Sequence, residues 1–195
     1  GWISTDSSPH SAQDNAVTDS NIPTLTVEQD HAVNTILSAQ SHFHVSLLHG
    51  ITGSGKTEVY LRLIAAMLMQ DKQVLVLVPE INLTPQLEAI FHNRFPCTNL
   101  ISLHSGLNDT ERLQGWLQAQ TGEANIVLGT RLAIFTPLPN LGLIIVDEEH
   151  DHSFKQQDGL RYSARDLAIF RSKQVNIPVI LGSATPSLES YHSAI

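Results

Sequence analysis

The chain has 195 residues, 42% of them hydrophobic and 15% charged, and carries a net charge of −8. That balance supports one domain with a real core and excludes disorder throughout. The single cysteine, Cys97, excludes an internal disulfide framework and a cysteine-based zinc site.

No apolar run reaches the roughly 18 to 20 residues that cross a membrane, and no signal peptide opens the sequence, so a cytoplasmic protein with no membrane partner is expected. The ten histidines are scattered, form no H-E-x-x-H, and read as ordinary surface or core residues. An acidic chain is unlike a free-standing DNA-binding domain. The charge is uneven, however: no Lys or Arg precedes Lys56, whereas five of the eleven basic residues lie between Lys155 and Lys173.

Residues 1–22 are rich in Ser, Asp and Asn and poor in periodic apolar residues, the composition of a flexible linker or an expression remnant. Residues 23–195 form the expected domain. Leu25 to Gln40 carries the apolar stripe of a helix, with Thr26 as N-cap and Gln29 at capping-box spacing. Val45 to His49 is a short apolar strand, followed by a glycine-rich turn and a helix from Glu58 to Met69. Gln73 to Val78 is a continuous apolar run, as expected of a strand buried on both faces, and Pro79 ends it. A helix from Thr84 to Phe95, with Pro85 in its first turn, leads to a strand at Asn99 to Leu103 and a helix at Asp109 to Gln120. Strands are expected at Ala124 to Leu128, Leu141 to Val146 and Val179 to Leu181. A helix at Ala164 to Lys173 precedes the last of these, and another begins near Ser187. The alternation predicts an α/β fold, a mostly parallel central sheet with helices on both faces. Its ligands should gather at the C-terminal ends of the strands.

Gly50-Ile51-Thr52-Gly53-Ser54-Gly55-Lys56-Thr57 fits the phosphate-loop pattern G-x-x-x-x-G-K-[ST], between a strand and a helix as that motif requires. Glycines let the backbone curl around an anion without a Cβ in the way. Lys56 would reach the β- and γ-phosphates of a nucleotide, and Thr57 would offer its hydroxyl to Mg²⁺. The second chemical cluster, Asp147-Glu148-Glu149-His150, leaves the most apolar strand. Asp147 suits Mg²⁺ held through water, and Glu148 suits the general base for an attacking water.

These residues carry a resemblance. Asp147 to His150 is a DExH box, and Ser183-Ala184-Thr185 matches the S-A-T motif of superfamily 2 helicases. More closely, Gly50 to Tyr60, Val78-Pro79-Glu80-Ile81 with Leu83-Thr84-Pro85-Gln86, and Phe154-Lys155-Gln156-Gln157 with Gly159, Arg161-Tyr162 and Ala164-Arg165-Asp166 resemble the PriA family. These are the primosomal replication-restart helicases (primosomal protein N′) of bacteria, and the match runs from about residue 23 to 195.

The resemblance implies a RecA-like P-loop NTPase lobe, the first of two. It implies ATP hydrolysis with Mg²⁺ driving 3′-to-5′ movement on single-stranded or forked DNA, with replication-restart (primosome) proteins as partners. It places Gln29 against the adenine base, alongside its capping role. Ser183, Ala184 and Thr185 would couple the nucleotide site to the DNA face, although their hydroxyls also suit bonds within their own turn.

Pro79 to Gln86, His104-Ser105-Gly106 and Gly129-Thr130-Arg131 would face the DNA, or simply form turns. Phe154, Lys155, Arg161 and Tyr162 interleave aromatic faces with cations, a single-strand-binding composition, and Phe154 to Tyr162 is expected to be a DNA-sensing loop. Tyr162 and Phe170 also suit packing against the following helix. The family's second lobe with its arginine finger, its zinc module and its N-terminal DNA-binding domains are not read in this chain. Alone it is therefore expected to bind nucleotide weakly, to hydrolyse ATP negligibly and not to unwind DNA. Another superfamily 2 translocase, a P-loop NTPase without a nucleic-acid partner and an idle interaction module are the competing classes.

Overall fold

A computed structural model of the chain describes residues 22–51 and 53–194. The expected linker, apart from Ile22, and Thr52 of the phosphate loop lie outside them. The first helix, α1 (Val27–Ser38), starts where the capping box predicts: the Thr26 hydroxyl accepts from the Gln29 N–H, and the Gln29 side chain accepts from the Thr26 N–H. It is shorter at both ends than the apolar stripe suggested. Next come β1 (His44–His49), α2 (Lys56–Leu68), β2 (Gln73–Leu77), α3 (Pro85–Arg94), β3 (Leu100–Leu103), α4 (Asp109–Thr121), β4 (Ile126–Gly129) and β5 (Leu141–Val146). The chain closes with β6 (Lys155–Gln156), β7 (Tyr162–Ser163), α5 (Ala164–Val175), β8 (Pro178–Ser183) and α6 (Leu188–Ala194).

Six strands form one sheet in the order β1-β8-β5-β2-β4-β3, and each neighbouring pair is parallel. Alternate residues of each interior strand feed two separate cores. Val74, Val76, Ile126, Leu128, Leu143 and Ile145 pack with Val33, Leu63, Ile64 and Phe91 from α1, α2 and α3. Leu75, Leu77, Val127, Ile144 and Val146 pack on the opposite face with Ala119 of α4 and Ala164 and Ala168 of α5. Burial on both faces is why β2 and β5 read as unbroken apolar runs rather than as alternating ones. The parallel sheet covered on both sides is the expected fold class.

Four features went beyond the expected elements. Glu80–Asn82, Arg131–Phe135 and His152–Phe154 form 3₁₀ turns. The segment expected as a loop from Phe154 to Tyr162 is instead a turn followed by an antiparallel hairpin, β6 with β7. Elements this short bury too little to leave a periodicity in sequence.

Candidate active site

Strands β1, β8 and β5 are neighbours, so the segments leaving their C-terminal ends are neighbours too. Those segments are the phosphate loop, Ser183-Ala184-Thr185, and Asp147 to His150. The Gly50 N–H donates to the Ser183 carbonyl at 3.1 Å, and the Glu149 N–H donates to the Gly182 carbonyl at 3.0 Å. The S-A-T segment therefore sits between the phosphate loop and the acidic box, an arrangement that chain order conceals. Strands β2, β4 and β3 fill the other half of the sheet, and from their ends emerge the three segments expected to face DNA.

In the phosphate loop, Gly53 and Gly55 both have φ of 81°, the left-handed region that only glycine enters freely. Gly55 is the N-cap of α2, and no side chain caps that helix, which keeps its first N–H groups turned to the loop. Lys56 is buried, and its Nζ donates to the Gly50 carbonyl at 2.8 Å, curled over the loop it serves. Ile51 is exposed, Ser54 donates its N–H to the Ile51 carbonyl, and Thr57 is half-buried one residue into α2. Gln29 reaches across from α1: its Nε2 donates to the Ser54 carbonyl at 3.0 Å, and a Cβ at Gly55 would collide with it. A cleft bounded by Thr26, Gln29, Gly50, Ser54 and Lys56 opens beside this clamp.

The acids divide their contacts. Asp147 Oδ1 accepts from the Tyr60 hydroxyl at 2.9 Å. Burial raises the Asp147 pKa above the ordinary aspartate value, against the pull of that hydrogen bond and of Lys56. Burial, then the charge of Asp147, lifts the Tyr60 hydroxyl well above the usual tyrosine range. Glu148 has φ of 48°, an uncommon conformation for a residue with a Cβ, and one that clusters at functional sites. Its two carboxylate oxygens lie 3.6 Å from Lys56 Nζ and 3.7 Å from His150 Nδ1.

Glu149 turns inward, fully buried, and accepts from the Ser187 N–H at 2.7 Å, Ser190 Oγ at 3.0 Å and Arg165 Nη1 at 3.1 Å. It pins the start of α6 and is a structural member of the acidic box. His150 pairs through Nδ1 with Ser183 Oγ at 2.7 Å and through Nε2 with Thr185 Oγ1 at 3.2 Å. Ser183 Oγ also accepts from the Thr185 N–H, so the bond within the turn and the bond to the acidic box coexist. Ala184 is half-buried between the two hydroxyl residues.

The basic segment needs correction. Phe154 is 1% exposed and belongs to the core, so it cannot stack on a base. Arg131 directs Nη1 to the carbonyls of Ser153 and Lys155, at 3.0 and 3.3 Å, holding the root of the β6–β7 hairpin. Tyr162 is half-buried and packs edge-on against Phe135, with ring centroids 5.2 Å apart. Arg165 serves Glu149, Asp166 and Glu189, and Arg171 donates to the carbonyls of Ile134 and Thr136 while burial lowers its pKa. Only Lys155 and Arg161, of the five expected DNA contacts, stand exposed, and both line an open hollow at the hairpin.

Sequence reasoning missed Tyr60, Arg165 and Ser187 as parts of the site. Tyr60 had a readable signal, since it follows Lys56 by four residues and so shares its face of α2. Arg165 and Ser187 had none, because their partner Glu149 lies far from them in sequence.

The family model for DEAD/DEAH box helicases matches residues 26–194. Replication restart protein PriA of Haemophilus influenzae is 55% identical over 170 residues, which cover 87% of this chain and 23% of that protein. PriA of Bacillus subtilis is 48% identical over 173 residues, 87% of this chain and 21% of the relative. The chain thus spans under a quarter of the length of these relatives and is similar to their first helicase lobe. Among solved structures, RecG bound to a three-way DNA junction superposes with a TM-score of 0.64 at 23% identity, covering 88% of this chain and 22% of that one. The DUF1998 helicase MrfA does so with 0.62 at 17% identity, covering 89% and 29%. At such identities these two establish the RecA-like fold alone.

Proposed function

The chain belongs to the DEAD/DEAH box helicase family, and on that premise we propose that it is the ATP-binding first lobe of a 3′-to-5′ DNA helicase acting in replication restart. One observation carries the reading: Lys56 from the phosphate loop and Glu148 from the acidic box meet at 3.6 Å, beside Asp147, where two strand ends converge. The similarity to PriA supports replication restart as the setting and primosome proteins as partners.

The donor set suits a magnesium nucleotide. The positive-φ glycines and the uncapped start of α2 form a cradle for phosphate oxygens. Mg²⁺ keeps several waters and takes only one or two protein oxygens beside the phosphates, which the Thr57 hydroxyl and the Asp147 carboxylate would provide. When bound, it neutralises charge on the β- and γ-phosphates. Lys56 exchanges its bond to the Gly50 carbonyl for phosphate oxygens. Glu148, held between Lys56 and His150, takes the proton of the attacking water on a carboxylate oxygen. Gln29 forms one wall of the cleft beside the loop and would meet the adenine edge, an amide both donating and accepting.

His150 links Glu148 to Ser183 and Thr185, the segment suited to coupling, while Lys155 and Arg161 of the β6–β7 hairpin meet DNA phosphate. The test is strand displacement from a forked duplex by the whole protein. ATP should drive displacement from a 3′ single-stranded tail, and Glu148→Gln should abolish it. Displacement that is insensitive to Glu148→Gln would refute the assignment.

A further inference from the structure

The hydroxyl of Tyr60 is the side-chain hydrogen-bond donor to Asp147, whose carboxylate also takes the Glu148 backbone N–H. Lys56 and Tyr60 stand four residues apart on one face of α2, and that face meets the acidic box twice. Lys56 Nζ faces Glu148 Oε1 at 3.6 Å, and the Tyr60 hydroxyl donates to Asp147 Oδ1 at 2.9 Å. Tyr60 is 2% exposed, so no solvent competes for the bond.

The neighbouring strand is cut to fit. A Cβ at Gly182 of β8 would overlap the Tyr60 hydroxyl and would stand 3.2 Å from Asp147 Oδ1. A buried tyrosine needs an acceptor, but a backbone carbonyl would satisfy it equally well. Here the ring crosses from α2 to the one carboxylate suited to Mg²⁺, through a gap that exists only because residue 182 lacks a side chain. With Oδ1 held by the Tyr60 hydroxyl, the Asp147 carboxylate is restrained in orientation, and Oδ2 takes no part in that bond.

We infer that Tyr60 is a positioning residue for magnesium: it fixes the Asp147 carboxylate so that one oxygen is aimed at the metal's water shell, with Gly182 providing the space. The inference rests on the ATP-binding reading above and adds to it a residue outside the phosphate loop and the acidic box. Groups that orient a metal-binding carboxylate commonly change metal affinity by about 10- to 100-fold when removed.

The test is equilibrium binding of a fluorescent ATP analogue to the whole protein, titrated with Mg²⁺, for the parent and for Tyr60→Phe. The variant keeps the ring and loses only the hydroxyl, and circular dichroism checks its fold. The Mg²⁺ concentration at half-maximal enhancement of binding should rise by about 10-fold or more. Mn²⁺, read by its paramagnetic resonance in the bound complex, should show the same weakening.

A merely structural tyrosine would lower the melting temperature and leave the Mg²⁺ midpoint within about 2-fold, and that result overturns the inference. Should Tyr60→Phe not fold, Gly182→Ala displaces the hydroxyl while keeping both partners, and an unmoved midpoint there overturns it equally. A folded parent protein that binds no nucleotide at any Mg²⁺ concentration would instead sink the ATP-binding reading, and this inference with it.

Discussion

His150 Nδ1 lies 2.7 Å from Ser183 Oγ, and through the same ring Nε2 meets Thr185 Oγ1 at 3.2 Å. One imidazole thus spans the acidic box and the segment leaving β8, while also facing Glu148 at 3.7 Å. His150→Ala should keep nucleotide binding and lose communication. The ratio of ATP turnover with single-stranded DNA to turnover without it should fall by about 5-fold or more, the lower range of measured coupling energies. Steady-state ATPase rates with and without oligonucleotide measure this, and an unchanged ratio would mean that coupling runs elsewhere.

Glu149 is fully buried against Arg165, whose guanidinium also reaches Asp166 and Glu189. Arg165→Met leaves the carboxylate with only neutral donors from Ser187 and Ser190. Removing one partner of a buried ion pair costs about 3 to 5 kcal/mol, and the surviving hydroxyl and N–H donors place this case near the lower end. Urea denaturation should show a lower midpoint with an unchanged slope, and α6 should become the first segment to exchange its amide protons.

Phe154→Ala should act on stability before it acts on DNA. Emptying the space of a fully buried phenylalanine costs about 3 to 5 kcal/mol, and the ring sits in the core shared by β2, β5 and α5. Lys155 and Arg161 are the residues that report DNA binding. Replacing both with Ala should leave the melting temperature nearly unchanged. It should also lower the slope of log affinity against log salt by about 1 for each DNA phosphate that the variant no longer neutralises. Fluorescence anisotropy of a labelled single strand over a salt series reads that slope.

Gln29→Ala separates two roles that coincide in the fold. The amide caps α1 and clamps Ser54 of the phosphate loop, so its loss should cost roughly 1 kcal/mol of stability through the cap. If it also reads the base, preference for ATP over GTP should shrink with it. Competition binding decides the matter, and an equal loss for both nucleotides would leave only the capping and clamping roles.

Much of this was legible before any coordinates. Val74 to Val78 and Leu143 to Val146 announce interior strands because both faces of a parallel sheet are buried, and Thr26 with Gln29 announces a helix start because the motif is local. The phosphate loop and the acidic box are likewise local, and each follows a strand for a chemical reason. What could not be read was pairing over distance. Strand β8 slots between β1 and β5 although it comes last, and only that order brings Ser183 to the phosphate loop.

The basic segment misled for the same reason. Composition records that Arg165 and Arg171 are cations, but not that Arg171 will meet the carbonyls of Ile134 and Thr136, 37 and 35 residues away. Interleaved aromatics and cations fit a DNA surface and a folded hairpin equally well.

The central claim is that Lys56, Asp147 and Glu148 belong to a DNA-driven ATP motor. The most direct measurement is ATP hydrolysis by the whole protein, with and without single-stranded DNA, beside Lys56→Ala. Turnover that rises many-fold with DNA, and is lost in the variant, is the predicted result. Hydrolysis indifferent to DNA, or surviving without Lys56, would contradict it.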